Sequence, residues 1–130
     1  MEMATQVVRT AKAPQPVGPY SQGISVGGFV FVSGQGAIDP TSSRLVGADI
    51  ESQTKQTLNN VKAIVEASGL AMRNVVRVSV YLKDMSDFKR MNEVYKSFFT
   101  DTAPARTTVQ VTALPLPEML VEIDAIAYRD

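Results

Sequence analysis

The chain has 130 residues, room for one domain over 1–130 with a single hydrophobic core. Apolar residues are 45% of it and charged residues 20%, which excludes a core-poor disordered chain. Its 13 basic residues balance 13 acidic ones, so there is no overall electrostatic footprint for duplex DNA or an anionic membrane.

The zeros narrow the chemistry further. No Cys means no disulfide framework, thiolate nucleophile or zinc knuckle. No His removes the commonest general base and every Ser-His-Asp arrangement. Acid–base work falls to Asp, Glu, Tyr, Lys or water, and a metal site would need carboxylates alone. No run approaches 18 apolar residues, and residues 1–14 lack the apolar h-region of a signal peptide. Arg9 and Lys12 are too sparse for an organelle transit peptide. A cytoplasmic protein is expected.

In chain order, a short strand has room to form at residues 6–9, before Pro14 and Pro16 close the first segment. Residues 21–26 and 29–33 predict two strands joined by Gly27-Gly28 as a hairpin turn. A loop follows, rich in Gly, Asp, Pro and Ser, from Gly34 to Ser43. Residues 49–67 predict a helix, with Ile50, Leu58, Val61, Ile64 and Val65 on one stripe completed by Thr54 and Thr57. Asp49 is placed to cap it and Gly69 to end it.

Residues 74–83 alternate as a strand, with Val76, Val78, Val80 and Leu82 on one side. A second helix runs from Ser86 or Asp87 to about Phe99, with Phe88, Met91, Tyr95, Phe98 and Phe99 on its stripe and Asn92 beside it. Residues 105–111 and 120–128 predict the last two strands. The order β-β-α-β-α-β-β lets two helices cover one side of a single sheet. The other side is expected to carry Phe29, Phe31, Ser33, Arg77, Tyr81, Arg106, Thr108, Leu120, Glu122, Asp124 and Ile126. That face is too apolar to be simply wet and too charged to be a core, so another subunit is expected to cover it in part, with pockets at the seams.

Several residues on this face can carry chemistry. Arg106, at a strand start, offers a planar fork for a carboxylate, or a structural ion pair with Glu122 or Asp124. Glu122 and Asp124, two apart on a strand, project the same way about 7 Å apart. They can hold a water and take its proton, or pair with Arg77 and Arg106. Tyr20, after Gly18-Pro19, can donate to a ligand or pack its ring on the sheet. Ser33 suits a hydrogen-bond donor and not a nucleophile, because no His exists to activate it. Gly34, Gly36 and Gly47 lack the Gly-Lys-Ser/Thr ending of a phosphate loop. Asn92 reads as a surface or helix-end polar contact.

Five segments occur in one order: Gly18-Pro19-Tyr20-Ser21-Gln22-Gly23, Val32-Ser33-Gly34-Gln35, Asn60-Val61-Lys62-Ala63-Ile64-Val65-Glu66-Ala67, Pro104-Ala105-Arg106-Thr107-Thr108-Val109 and Val121-Glu122-Ile123-Asp124-Ala125-Ile126-Ala127. Over nearly its whole length the chain thereby resembles the reactive intermediate deaminase family, also called Rid or YjgF. The resemblance implies an α+β fold similar to trimeric chorismate mutase: a mixed sheet with two helices on one face, three copies closing a central barrel, and ligand clefts between subunits. It implies hydrolysis of 2-imino acids such as 2-iminobutanoate and 2-iminopropanoate to 2-keto acids and ammonia, with no cofactor, no metal, and neither membrane nor nucleic-acid partner.

Carried over, Arg106 would bind the substrate carboxylate and Glu122 would position the attacking water. Tyr20, Ser33 and Asn92 would be polar pocket positions, and Gly34 and Thr108 would contribute backbone contacts. The chain departs from the family's common residues at Thr108 (often Cys), Asp124 (often Glu) and Leu116 (often Lys), positions that bear on substrate range more than on the reaction. Two alternatives stand beside this reading. One is a non-catalytic or regulatory binder of small carboxylates. The other is the endoribonuclease or translation-inhibitor activity attributed to some relatives, which zero net charge and the lack of His weigh against.

Overall fold

A computed structural model describes residues 4–130. Residues 1–3, which open both the expected domain and the stretch read for targeting signals, lie outside the described residues. Six strands form one sheet: β1 (Gln6–Val8), β2 (Gly23–Val26), β3 (Phe29–Gln35), β4 (Val75–Leu82), β5 (Ala105–Gln110) and β6 (Val121–Tyr128). Helices α1 (Ile50–Ala67) and α2 (Phe88–Tyr95) join β3 to β4 and β4 to β5. The spatial order is β1-β2-β3-β6-β4-β5; only β4 and β5 run parallel, as a helical crossover requires. The fold is α+β with a mixed sheet, as expected.

Local signals account for the elements. Gly27 and Gly28 have φ of 57° and 87°, left-handed at both positions as a tight hairpin with the strands' twist demands. Asp49 caps α1, its Oδ1 accepting from the Ser52 N–H at 2.7 Å. The α1 stripe (Ile50, Leu58, Val61, Ile64, Val65) and Met91 and Tyr95 of α2 form one core with Val30, Val32, Val78, Val80, Leu82, Val121, Ile123 and Ala125. A bidentate pair, Arg90 on Glu51, ties α2 to α1 at the surface. The second helix is shorter than expected, ending at Tyr95 with a single 3-10 turn over Lys96–Phe98.

Four further expectations are corrected. Val76 does not share a side with Val78: an extra residue sits between the pairs Val75–Ala127 and Arg77–Ile126, so Val75 is buried and Val76 is 47% exposed. Gly34 lies within β3, not in the following loop, and a second bulge sets Ser33 and Gly34 against Asp124. Leu120 precedes the last strand and packs on the core's margin.

The fourth correction bears on the site. In the β4–β5 register Arg106, Thr108 and Gln110 stand beside Val78, Val80 and Leu82, on the helix side. Thr107 and Val109 therefore take the open face, and Val109 is 40% exposed. Alternation alone gives two groups of residues, not their direction. On this edge strand Arg106 is only half-buried, so its long side chain can lie on the helix side and still bring the guanidinium toward solvent.

The opposite face stays open: Phe29, Phe31 and Tyr128 form an exposed aromatic row, with ring centroids 6.0 Å apart for Phe29–Phe31 and 4.8 Å for Phe29–Tyr128. Among the described residues no helix is long and apolar enough to cross a membrane.

Candidate active site

Arg106 projects from β5 onto α2. Its Cζ lies 4.6 Å from the Tyr95 ring centroid and 5.6 Å from that of Phe88. Spacings of four and three place Phe88, Asn92 and Tyr95 on one face of α2. Ion pairs among the described residues are Arg90–Glu51 and Lys96–Glu93, so Arg106 is not spent on Glu122, Asp124 or any other carboxylate. Two buried polar atoms on this helix face, the Asn92 Oδ1 and the Tyr95 hydroxyl, have no hydrogen-bond partner. Burial pushes the Tyr95 phenol up, against the opposing pull of the Arg106 charge. Thr108 follows Arg106 on the same side of β5, an edge strand whose outer backbone groups pair with no other strand.

Glu122 lies on the other face of the sheet, opposite Tyr81 in register, with Asp124 opposite Ser79. The Tyr81 hydroxyl donates to the Asp124 Oδ2 at 3.1 Å. Arg77 donates instead to the Thr107 hydroxyl at 2.6 Å. The Glu122 carboxylate rests against Gly34, where a Cβ would collide with its Oε2. Burial, and then the Asp124 charge, hold the Glu122 carboxyl above the usual carboxylate range. A half-buried carboxylate whose pKa is raised is a better proton acceptor than an ordinary one and can take a proton from water.

Tyr20 belongs to the loop before β2 and is 48% exposed. Its oxygen accepts from the Val17 N–H at 3.4 Å, and with Arg9, Gln15 and Ser21 it lines an open groove of about 280 Å³. Ser33 is tied to this loop, its Oγ donating to the Ser21 carbonyl at 2.6 Å. The buried Gln22 side chain accepts from the Thr10 N–H and donates to the carbonyls of Thr10, Ala13 and Pro14, which clamps the N-terminal segment beside Tyr20.

The chain thus brings Ser33, Gly34, Glu122 and Asp124 together, and separately sets Arg106 and Thr108 on the side of the sheet that carries α2 with Asn92. It does not bring Arg106 to Tyr20: β2 and β5 are four strand spacings apart, roughly 19 Å. The sequence reading missed Tyr95 and Phe88 as the residues under Arg106, because an aromatic stripe on a helix reads as core. It also missed Gln53, buried on the α1 stripe, which donates to the Gly47 and Glu118 carbonyls and accepts from the Leu120 N–H two residues before Glu122. A long amide on an apolar stripe was the available signal. Among the described residues no group of three or more His, Cys, Asp or Glu side chains could hold a metal ion.

Known proteins share this frame. Residues 10–129 match the family model described as Endoribonuclease L-PSP. A RutC family protein of Pyrococcus abyssi is 51% identical over 128 residues, covering 98% of this chain and 100% of that protein. A Salmonella typhimurium protein named 2-iminobutanoate/2-iminopropanoate deaminase is 43% identical over 128 residues, covering 96% of this chain and 98% of its own. The crystal structure of the Escherichia coli YjgF gene product superposes with a TM-score of 0.92 at 42% identity, covering 96% of this chain and 99% of that one.

Proposed function

The chain belongs to the Endoribonuclease L-PSP family, which includes the YjgF and RutC proteins, and from that premise we propose that it is a hydrolytic deaminase of 2-imino acids. The reaction adds water to the protonated imine and releases ammonium, leaving a 2-oxo acid. Its substrates are short 2-imino acids of the 2-iminobutanoate and 2-iminopropanoate class, after the activity for which the Salmonella relative is named. One observation carries the reading: Arg106 has a charged fork of N–H donors that no carboxylate among the described residues occupies. A substrate carboxylate fits that fork bidentately.

Glu122 takes the other half of the work. Its carboxylate accepts a proton from a water aimed at the imine carbon, and a C–O bond forms as the C=N electrons move to nitrogen. The resulting amino alcohol loses ammonia when its hydroxyl proton leaves and the nitrogen is protonated through water or Tyr20. A protonated imine is already a strong electrophile, so orientation supplies most of what is needed. Ser33 and Asn92 line this pocket, and backbone groups at Gly34 and Thr108 complete it.

Arg106 and Glu122 lie on opposite faces of the sheet and Tyr20 near its far edge, so a pocket using all three takes residues from adjacent copies. In this reading the protein is a cytoplasmic homotrimer whose open faces form a central barrel. It clears reactive intermediates that other enzymes release. The word endoribonuclease in the family description is not carried over: the chain has zero net charge and no His for RNA cleavage.

The test supplies the imine from a threonine dehydratase and follows 2-oxobutanoate release. Arg106→Ala is expected to lose the acceleration by roughly tenfold or more while keeping its circular dichroism. Unchanged acceleration in that variant overturns the proposal. Glu122→Gln separates catalyst from binder, since it should hold 2-oxobutanoate with near-normal affinity and lose turnover.

A further inference from the structure

A cation at a sheet edge with no acidic partner needs something else to hold its side chain still. An Asp or Glu in that role would take up the same N–H donors that a ligand carboxylate requires. An aromatic ring attracts the cation through its face without occupying the fork as an acid does. Tyr95 has the needed fixity. It is 7% exposed, belongs to the core cluster, and packs on Phe99 with ring centroids 4.7 Å apart. Its ring centre is 4.6 Å from the Arg106 Cζ, closer than that of the more exposed Phe88 at 5.6 Å. Its buried hydroxyl makes no well-formed hydrogen bond, and the nearby guanidinium acts on it first through its charge, which leaves the ring face as the closest support of Arg106.

We propose that Tyr95 is the positioning residue of Arg106, holding the guanidinium on its ring face, and not through its hydroxyl, so that the fork meets a small 2-oxo or 2-imino carboxylate in one orientation. The inference rests on the deaminase reading for its kinetic consequence and on geometry alone for the ordering of Arg106.

The test compares the full-length wild-type protein with Tyr95→Phe and Tyr95→Leu. Tyr95→Phe keeps the ring and should leave KM within about twofold; Tyr95→Leu should raise KM roughly tenfold while kcat changes less than about threefold, the split expected when ground-state binding is lost. The affinity for 2-oxobutanoate should fall in step. By NMR, the Arg106 Nε–Hε group should be ordered and ring-current shifted upfield in the wild type and Tyr95→Phe, and lose both properties in Tyr95→Leu. A folded Tyr95→Leu with normal KM and an ordered Arg106 overturns the proposal, as does a Tyr95→Phe as impaired as Tyr95→Leu. Should Tyr95→Leu fail to fold, the wild-type spectrum decides: an Arg106 signal as mobile and unshifted as that of the exposed Arg44 overturns it. The NMR measurement needs no turnover, so failure of the deaminase reading and failure of the positioning role give different results.

Discussion

Glu122, the base of the proposed reaction, is held at a cost in stability. Its carboxyl is half-buried beside Asp124, and both conditions oppose ionisation, so its pKa in the folded chain stands above the unfolded value of about 4.3. Below that value the group is protonated in both states and does not disfavour folding. As pH rises through the raised value, the folded state binds more protons than the unfolded one and stability falls. Glu122→Gln should therefore raise the melting temperature at pH 7, and the gain should vanish in acid. Thermal melts of both proteins from pH 4 to 8 check this; a Gln variant less stable than wild type at pH 7 would refute it. In the same proteins, wild-type turnover should rise with pH along a limb displaced above the usual carboxylate range. Gly34 is legible as a small residue in the sequence, but its reason is not: the space it leaves is filled by a side chain 88 positions away.

At the scale of elements, the strongly periodic segments were readable and the irregular ones were not. The α1 stripe, the Asp49 cap and the Gly27-Gly28 turn appear where local chemistry puts them. The bulge at the start of β4 has no local signal, because Val75 and Val76 are the same residue type and only pairing with β6 decides which is buried. Val75→Ala should cost about 2 kcal/mol, from two lost methyl groups and the cavity left behind. Val76→Ala should change stability by less than about 0.5 kcal/mol. Urea denaturation of the two variants measures the difference, and equal losses would contradict the bulge. The direction of β5 was hidden for a related reason. Its residues alternate between two modest polarities, and the crossover through α2, not the strand's own pattern, turns Arg106 to the helix side.

For the whole molecule, the open sheet face is the feature that asks for company. Phe29, Phe31 and Tyr128 are each more than 40% exposed and contiguous, beside a half-buried carboxylate pair. Under the proposed trimer, sedimentation equilibrium should give three times the 14.1 kDa chain mass. Phe31→Asp, which sets a charge on that face, should shift the mass toward the single chain and lower turnover with it, because the proposed pocket takes residues from adjacent copies. A Phe31→Asp trimer with full activity would remove the face from the assembly.

The sequence by itself determined the class of fold, the order of its elements, the chemistry denied by the absence of His and Cys, and, through its ordered segments, the family. Each of these follows from residue type and short-range spacing. Only the tertiary structure decided that Arg106 and Glu122 stand on opposite faces, that a tyrosine ring rather than an acid lies beneath the guanidinium, and that Gly34 makes room for Glu122. Those outcomes depend on strand register and on contacts between residues distant in the chain, which short-range spacing does not encode.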